Sequence, residues 1–120
     1  MIELQNVSKT YEAGELTVNA VDTTDLRMGT ADMVVILGRS GSGKTTLLSL
    51  IGGLTRPTSG QVSINGTDIW TLNDNALSEF RNQNIGFIFQ FSSLLPTLSA
   101  VDNLMLPTIF DHSAKTGENR

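Results

Sequence analysis

The chain has 120 residues and no cysteine, and its 8 basic and 12 acidic side chains give a net charge of −4 at pH 7. This length predicts one compact domain, and 39% hydrophobic with 17% charged residues is typical of a folded chain. The composition excludes disulfides, thiolate catalysis and Cys-based zinc sites, and the acidic balance argues against a nucleic-acid partner. We find neither a secretory signal nor the run of about 20 apolar residues that a membrane helix needs, so a cytosolic location is expected.

The first third of the chain predicts antiparallel strands. Apolar and polar residues alternate at the start of 2–11, and Ala13-Gly14 predicts a turn. Residues 16–28, rich in Thr and Val, predict one or two further strands, and Gly29 predicts another turn.

A strand, a loop and a helix are predicted next. The five apolar residues 33–37 predict a strand buried on both faces, as in a parallel sheet. Residues 38–44 are too glycine-rich for a helix, whereas 45–51 have the apolar positions of a buried one. Gly52-Gly53 predicts its end, because glycine adopts the left-handed conformation without steric cost.

The second half repeats this alternation of strands and helices. Gln61–Ile64 predicts a strand, and Asn65-Gly66 predicts a two-residue hairpin turn. A short helix is predicted over 73–82, capped by Asn73 or Asp74.

The last predicted elements are a second apolar strand and two helices. The strand is 85–89, and a helix over 99–110 is predicted with Ser99 or Thr97 as its cap. Residues 116–120 resemble the opening of a further helix.

The segment between Asp32 and Asp68 contains no acidic residue but holds Arg39, Lys44 and Arg56. This charge distribution predicts an anion site, with a chance distribution as the alternative.

The sequence from Gly38 to Thr45 matches the P-loop pattern G-x-x-x-x-G-K-[ST]. Glycines let backbone N–H groups surround phosphates, and a following helix adds its N-terminal partial charge. Lys44 would reach the β- and γ-phosphates, and Thr45 would hold Mg²⁺. The alternative is a glycine-rich turn with an exposed lysine, which the flanking strand and helix disfavour. The predicted ATP contacts are Gly38, Arg39, Ser40, Gly41, Ser42, Gly43, Lys44, Thr45 and Thr46.

Four isolated residues can be weighed between a functional and a purely structural role from the sequence. Tyr11 could stack on a base or be a surface aromatic, and Gln90 could reach a metal or point to solvent. Trp70 is interpreted as a packing residue and His112 as a solvated one, and no metal cluster or nucleophilic triad can be assembled.

Three motifs in this order resemble the ATP-binding subunit of ABC transporters, nearest to its lipoprotein-release and macrolide-export branch. They are Tyr11, then Gly38–Thr45, then Ile85–Gln90 followed by Leu95–Asn103. The resemblance implies an α/β fold: a P-loop NTPase core with a parallel sheet and flanking helices, plus an N-terminal antiparallel β subdomain, incomplete at the C-terminal end.

The resemblance also implies three segments. They are a mainly antiparallel β segment at 1–32, the P-loop core at 33–90, and the start of a helical subdomain at 91–120. The strand neighbours of 33–37 come from a later part of the family's chain.

Several residue roles are implied by the resemblance. Tyr11 stacks on adenine, Thr45 and Gln90 hold Mg²⁺, and Lys44 and Gln90 act in catalysis. Residues 91–106 face a transmembrane permease subunit. The family usually has Pro where Arg39 stands and Gly where Ala31 stands.

The implied function is an ATPase subunit that couples ATP binding and hydrolysis to transport or extraction of a substrate. Two such subunits dimerise in the full-length form, at the cytoplasmic face of the inner membrane, peripherally through the permease. The family's signature, catalytic Glu and switch His come after this stretch, so binding without hydrolysis is expected from residues 1–120. The alternatives are a truncated non-hydrolytic nucleotide-binding module, a nucleotide kinase and a DNA-repair ABC ATPase.

Overall fold

The computed structural model describes residues 1–91 and 93–109. Contacts divide them into a compact unit from Met1 to Leu77 and a second that begins at Ser78. The length alone predicts one compact domain. Among the described residues, however, every buried apolar side chain lies before Ser78, so only the first unit has a core. His112 and the helix opening expected at 116–120 lie outside the described residues.

The first unit is built on a four-stranded antiparallel sheet. Strand β1 is Ile2–Ala13, β2 is Leu16–Met28, β3 is Ser59–Ile64 and β4 is Thr67–Asp68. Their order in the sheet is β2-β1-β3-β4. The predicted strands and the turn after Ala13 are confirmed, and 16–28 is a single strand. Because β3 and β4 join the same sheet, the sheet extends beyond 1–32, and the three-segment division stays a prediction.

The three predicted helices are present, with bounds close to the predicted ones. Helix α1 is Lys44–Ile51, α2 is Asp74–Asn84 and α3 is Ala100–Ile109, and a 3₁₀ turn covers Ile69–Thr71. Helix α1 ends as predicted at Gly52-Gly53: Gly53 has φ 67°, and the Leu54 N–H donates to the Ser49 carbonyl at 2.8 Å.

The capping and turn residues of the later elements are also as predicted. The Ala76 N–H donates to Asn73 Oδ1 at 2.9 Å, so Asn73 caps α2. The Asp102 N–H donates to Ser99 Oγ at 3.1 Å, so Ser99 caps α3. Asn65 and Gly66 have φ of 51° and 82°, which gives the tight turn between β3 and β4. These features form because each depends on residues within four positions of one another.

The core of the first unit lies between the sheet and α1. Leu4 of β1 pairs with Val62 of β3, and both are buried together with Val7 of β1 and Leu50 of helix α1. The remaining buried apolar side chains are Ile51, Ile64, Ile69 and Leu77. This core fixes α1, and with it the loop that precedes α1, against the β1–β2 hairpin.

The two strands predicted at 33–37 and 85–89 are not formed. Met33, Leu37 and Ile88 are 94%, 86% and 102% exposed, and neither segment belongs to a sheet in the described part of the chain. An apolar, β-branched run becomes a strand only when neighbouring strands pair with it. The resemblance places the neighbours of 33–37 in a later part of the family's chain.

The turn after β2 contains a non-glycine residue in the left-handed region. Ala31 has φ 68°, between Gly29 and Asp32, whose carboxylate accepts from the Gly29 N–H at 2.6 Å. The family's usual glycine at this position would adopt this conformation without the steric cost that alanine has.

We therefore expect Ala31→Gly to raise the free energy of unfolding by about 0.5 kcal/mol, since relief of strain exceeds the added entropy of the unfolded chain. Urea unfolding followed by the fluorescence of Trp70, the sole tryptophan, measures this. The control is Ala13→Gly at the end of β1, where φ is not positive and the same change should destabilise. A loss of stability in both variants would contradict the strain at Ala31.

None of the helices in the described residues is long and apolar enough to span a membrane.

Candidate nucleotide-binding site

The loop before α1 has the backbone of an anion-binding nest. Gly41 and Gly43 have φ of 78° and 84°, and the Ser42 N–H donates to the Arg39 carbonyl at 3.2 Å. Left-handed residues beside right-handed ones turn successive N–H groups towards one concavity. Gly43 caps α1 without a side-chain hydrogen bond, so the first N–H groups of the helix face the same region.

The Lys44 side chain folds back over this loop. Its Nζ donates to the carbonyl oxygens of Gly38 at 2.9 Å and Arg39 at 2.7 Å, and lies 3.5 Å from Ser42 Oγ. All three partners are uncharged, so the ammonium charge is not neutralised by them. A phosphate that entered the loop would therefore meet a positive charge already held in place.

The loop packs against β2 so closely that Gly43 has no space for a side chain. A Cβ on Gly43 would lie 2.0 Å from the Ala20 carbonyl oxygen, a backbone atom. A Cβ on Gly38 would meet Ser42 Oγ at 2.5 Å, within the loop itself, where the hydroxyl can rotate away. Gly43 thus permits the close approach of the loop to β2 as well as the bend before α1.

Two cavities adjoin the loop, and the smaller one suits an anion better. It has a volume of about 230 Å³ and is lined by Val18, Asn19, Ala20, Gly41, Ser42, Gly43, Lys44, Thr45 and Thr46. The larger, of about 450 Å³, is also bounded by apolar Leu37 and Leu47 and by the acidic Asp22. A carboxylate and apolar walls disfavour a polyanion, so the smaller cavity is the better candidate for a phosphate site.

The structure brings most of the predicted contacts together. The six consecutive residues from Gly41 to Thr46 line the smaller cavity, whereas Gly38 lines the larger. Arg39 and Ser40 line neither of these two cavities, although the Arg39 carbonyl accepts from Lys44.

Tyr11 lies at the end of β1 and is 42% exposed. It pairs with Val18 of β2, and Val18 lines the smaller cavity. Tyr11 is thus a neighbour of the cavity wall without lining it, a position compatible with either a base-stacking or a surface role. Its assignment to adenine stays a prediction.

Gln90 belongs to the second unit, where it is exposed. Its assignment to Mg²⁺ and to catalysis stays a prediction. Thr45 is exposed in the first turn of α1, and its hydroxyl has no hydrogen-bond partner among the described residues. The described part of the chain contains no group of three or more His, Cys, Asp and Glu side chains placed to hold a metal ion.

The positive segment is not one anion site. Lys44 faces the loop, but Arg56 lies against Trp70, with its guanidinium 5.3 Å from the ring centroid and its Nη2 donating to the Trp70 carbonyl at 3.2 Å. The interpretation of Trp70 as a packing residue agrees with this contact. Arg56 is therefore not part of an anion site at the loop, and the prediction for Arg39 and Lys44 stays.

Sequence reasoning missed the contribution of β2, residues Val18, Asn19 and Ala20. The contact of Ala20 with Gly43 joins segments more than 20 positions apart and has no local signal in a single sequence. Only the pairing of β1 with β2 brings this wall to the loop.

Comparison with known proteins decides the family. A family model described as ABC transporter matches residues 21–119. The chain belongs to the ABC transporter family. The match includes the loop, α1 and the described part of the second unit, whereas all of β1, with Tyr11, and the first five residues of β2 lie before it.

Three relatives illustrate this membership. The lipoprotein-releasing system ATP-binding protein LolD of Syntrophotalea carbinolica is 41% identical over 91% of this chain and 48% of its own. The macrolide export ATP-binding/permease protein MacB of Sodalis glossinidius is 42% identical over 100% of this chain and 18% of its own. The ATP-binding cassette MJ0796, from Methanocaldococcus jannaschii, was solved as a dimer bound to ADP and Pi, with 43% identity and a TM-score of 0.86 over 92% of this chain and 47% of that one.

These matches confirm the predicted fold class, a P-loop α/β core with an N-terminal antiparallel sheet. The relatives include lipoprotein-release and macrolide-export proteins, the two kinds that the sequence resembles. The chain spans about half the length of the LolD and MJ0796 proteins that it matches.

Proposed function

We propose that this chain carries the ATP-binding part of an ABC transporter ATPase subunit. The observation that carries the proposal is the position of the Lys44 ammonium, 2.7 to 2.9 Å from two carbonyl oxygens of the loop that opens α1. A fixed cation, left-handed glycines and a helix N-terminus at one cavity are the elements that recognise a nucleotide polyphosphate. The phosphates would contact residues 38–46, and Tyr11 would stack on the adenine.

Mg²⁺ fits the donor chemistry of this cavity. The free hydroxyl of Thr45, which lines it, and phosphate oxygens are the hard oxygen donors that Mg²⁺ prefers. Gln90 is proposed as a further oxygen donor on the resemblance alone. When bound, the ion would neutralise charge on the β- and γ-phosphates. Lys44 would share that task, and Gln90 would position the attacking water.

The wider role proposed is that of the relatives: coupling of ATP binding and hydrolysis to transport or extraction of a substrate. The partners proposed are a transmembrane permease, contacted by residues 91–106, and a second nucleotide-binding subunit. Exposed Leu94, Val101 and Leu104 in that segment, 67%, 67% and 78% accessible, support an apolar contact there. The location proposed is peripheral, at the cytoplasmic face of the inner membrane.

A second candidate is a nucleotide-binding module that does not hydrolyse ATP. It is favoured for residues 1–120 because the residues that line the smaller cavity include no carboxylate that could act as a base, and Asp22 lines only the larger one. Phosphate release distinguishes the two, since the module should bind Mg·ATP without turnover.

Titration of the full 120-residue chain with a fluorescent ATP analogue and Mg²⁺ tests the proposal. Lys44→Ala should raise Kd by roughly tenfold to a hundredfold, the value of a lost charge-assisted hydrogen bond to phosphate. The matched control is Arg27→Ala, which removes the same charge at the opposite end of the β1–β2 hairpin and should change Kd less than about twofold. Equal Kd values for wild type and Lys44→Ala would refute the phosphate site.

A further inference from the structure

We propose that Lys9 is a positioning residue for the nucleobase. Its ammonium would occupy one face of the Tyr11 ring and leave the opposite face for adenine. This inference rests on the function proposed above, and it adds Lys9 to the residues that would give the site its preference for a ligand with a base.

Lys9 is held against Tyr11 at both ends of its side chain. Its backbone lies two positions before Tyr11 in β1, and its Nζ lies 4.9 Å from the Tyr11 ring centroid. The same Nζ donates to the Arg56 carbonyl at 2.9 Å. A lysine on a strand normally moves freely in solvent, but this hydrogen bond fixes the ammonium over the ring.

The carbonyl that holds Lys9 is itself fixed. The Arg56 guanidinium lies 5.3 Å from the Trp70 ring centroid, and its Nη2 donates to the Trp70 carbonyl at 3.2 Å. Two residues on, the Thr58 N–H donates to the Ser8 carbonyl at 2.9 Å. Trp70, Arg56 and Lys9 are thus connected by successive contacts, and the last contact in the series is with the Tyr11 ring.

This series of contacts ends next to the smaller cavity, where the phosphates are proposed to bind. Tyr11 is paired with Val18, which lines that cavity together with Lys44. Tyr11 as a whole is 42% exposed although the Lys9 ammonium lies over its ring, so the residue is accessible to a ligand. A nucleotide with its phosphates at Lys44 would extend its base along the β1–β2 hairpin towards Tyr11.

The charge of Lys9 assists stacking for two physical reasons. A cation over one face draws π-electron density towards itself, so a base on the other face meets less repulsion between the two π clouds. The cation also restricts rotation of the ring before the base arrives, which lowers the entropic cost of stacking.

The test compares a ligand with a base and one without. In the full chain, Lys9→Met keeps the length of the side chain but removes its charge. It should weaken Mg·ATP binding about threefold to fivefold and leave Mg·tripolyphosphate binding unchanged. Lys9→Arg should restore most of the affinity for ATP, and in a Tyr11→Ala background Lys9→Met should have no effect. Urea unfolding followed by Trp70 fluorescence verifies that each variant folds.

Three results would overturn the inference. Unchanged ATP affinity in Lys9→Met would remove the role of Lys9, and an equal loss for both ligands would reduce it to a general charge effect. Tighter ATP binding would mean that the ammonium blocks the stacking face. If Lys44→Ala weakens both ligands while Lys9→Met weakens neither, the phosphate site stands and only this inference fails. A wild-type chain that binds neither ligand would refute the proposed function and this inference with it.

Discussion

Gly60→Ala is expected to lower the free energy of unfolding by about 3 kcal/mol, the sum of left-handed strain and steric overlap. Gly60 has φ 83° and lies opposite a bulge in β1, where Asn6 and Val7 face this single residue of β3. A Cβ there would lie 2.2 Å from the Asn6 carbonyl oxygen, and backbone atoms cannot move away as a flexible side chain can. Because Val7 of the bulge is fully buried, the distortion would reach the core.

Gly14→Ala is the matched control for this prediction. Gly14 also has a positive φ, 63°, but an added Cβ would meet nothing within 4 Å. This variant should lose only the left-handed term, about 1 kcal/mol. Urea unfolding followed by Trp70 fluorescence gives both values, and equal losses would show that the approach of Asn6 to Gly60 is not a constraint.

Gly43→Ala is expected to displace the loop before α1 from β2. The added Cβ would lie 2.0 Å from the Ala20 carbonyl oxygen, at a residue whose φ is already 84°. We expect a loss of about 3 kcal/mol in unfolding free energy. A rise of at least about tenfold in the Kd for Mg·ATP is also expected, because the N-terminal N–H groups of α1 would move with the loop.

Gly41→Ala separates the two causes of that loss. Gly41 has φ 78°, and an added Cβ would meet nothing within 4 Å. The free energy of unfolding of Gly41→Ala should therefore be only about 1 kcal/mol lower than that of the wild type. Urea unfolding of the two variants side by side provides the comparison. A loss at Gly41→Ala as large as that at Gly43→Ala would mean that strain in the loop, not its packing against β2, dominates.

Features that depend on neighbouring residues were predictable from the sequence. The Asn65-Gly66 turn, the Ser99 cap and the end of α1 at Gly53 each form through hydrogen bonds or φ values within a few positions. The phosphate loop was predictable for the same reason, since its glycines, lysine and helix start are consecutive. Of the residues predicted to contact ATP, the six consecutive ones from Gly41 to Thr46 line one cavity together, and their role stays a prediction.

Features that depend on distant partners were not predictable. Residues 33–37 have the composition of a buried strand, yet Met33 is 94% exposed because no strand of the described residues pairs with it. The charge pattern grouped Arg56 with Lys44, but the fold places Arg56 on Trp70. Composition indicates which secondary structure a segment prefers, whereas its distant partners decide whether that structure forms and what its side chains contact.

The sequence by itself determined the phosphate loop, the family and the local turns and caps, because each is encoded in consecutive residues. The tertiary structure alone decided that β2 forms the wall of the cavity, that Gly60 must accept the bulge of β1, and that the Arg56 carbonyl holds the Lys9 ammonium. These three contacts join segments brought together by the pairing of β1 with β2 and β3 and by the loop that precedes β3. Such pairing is specified by the summed burial of many side chains and not by any short motif.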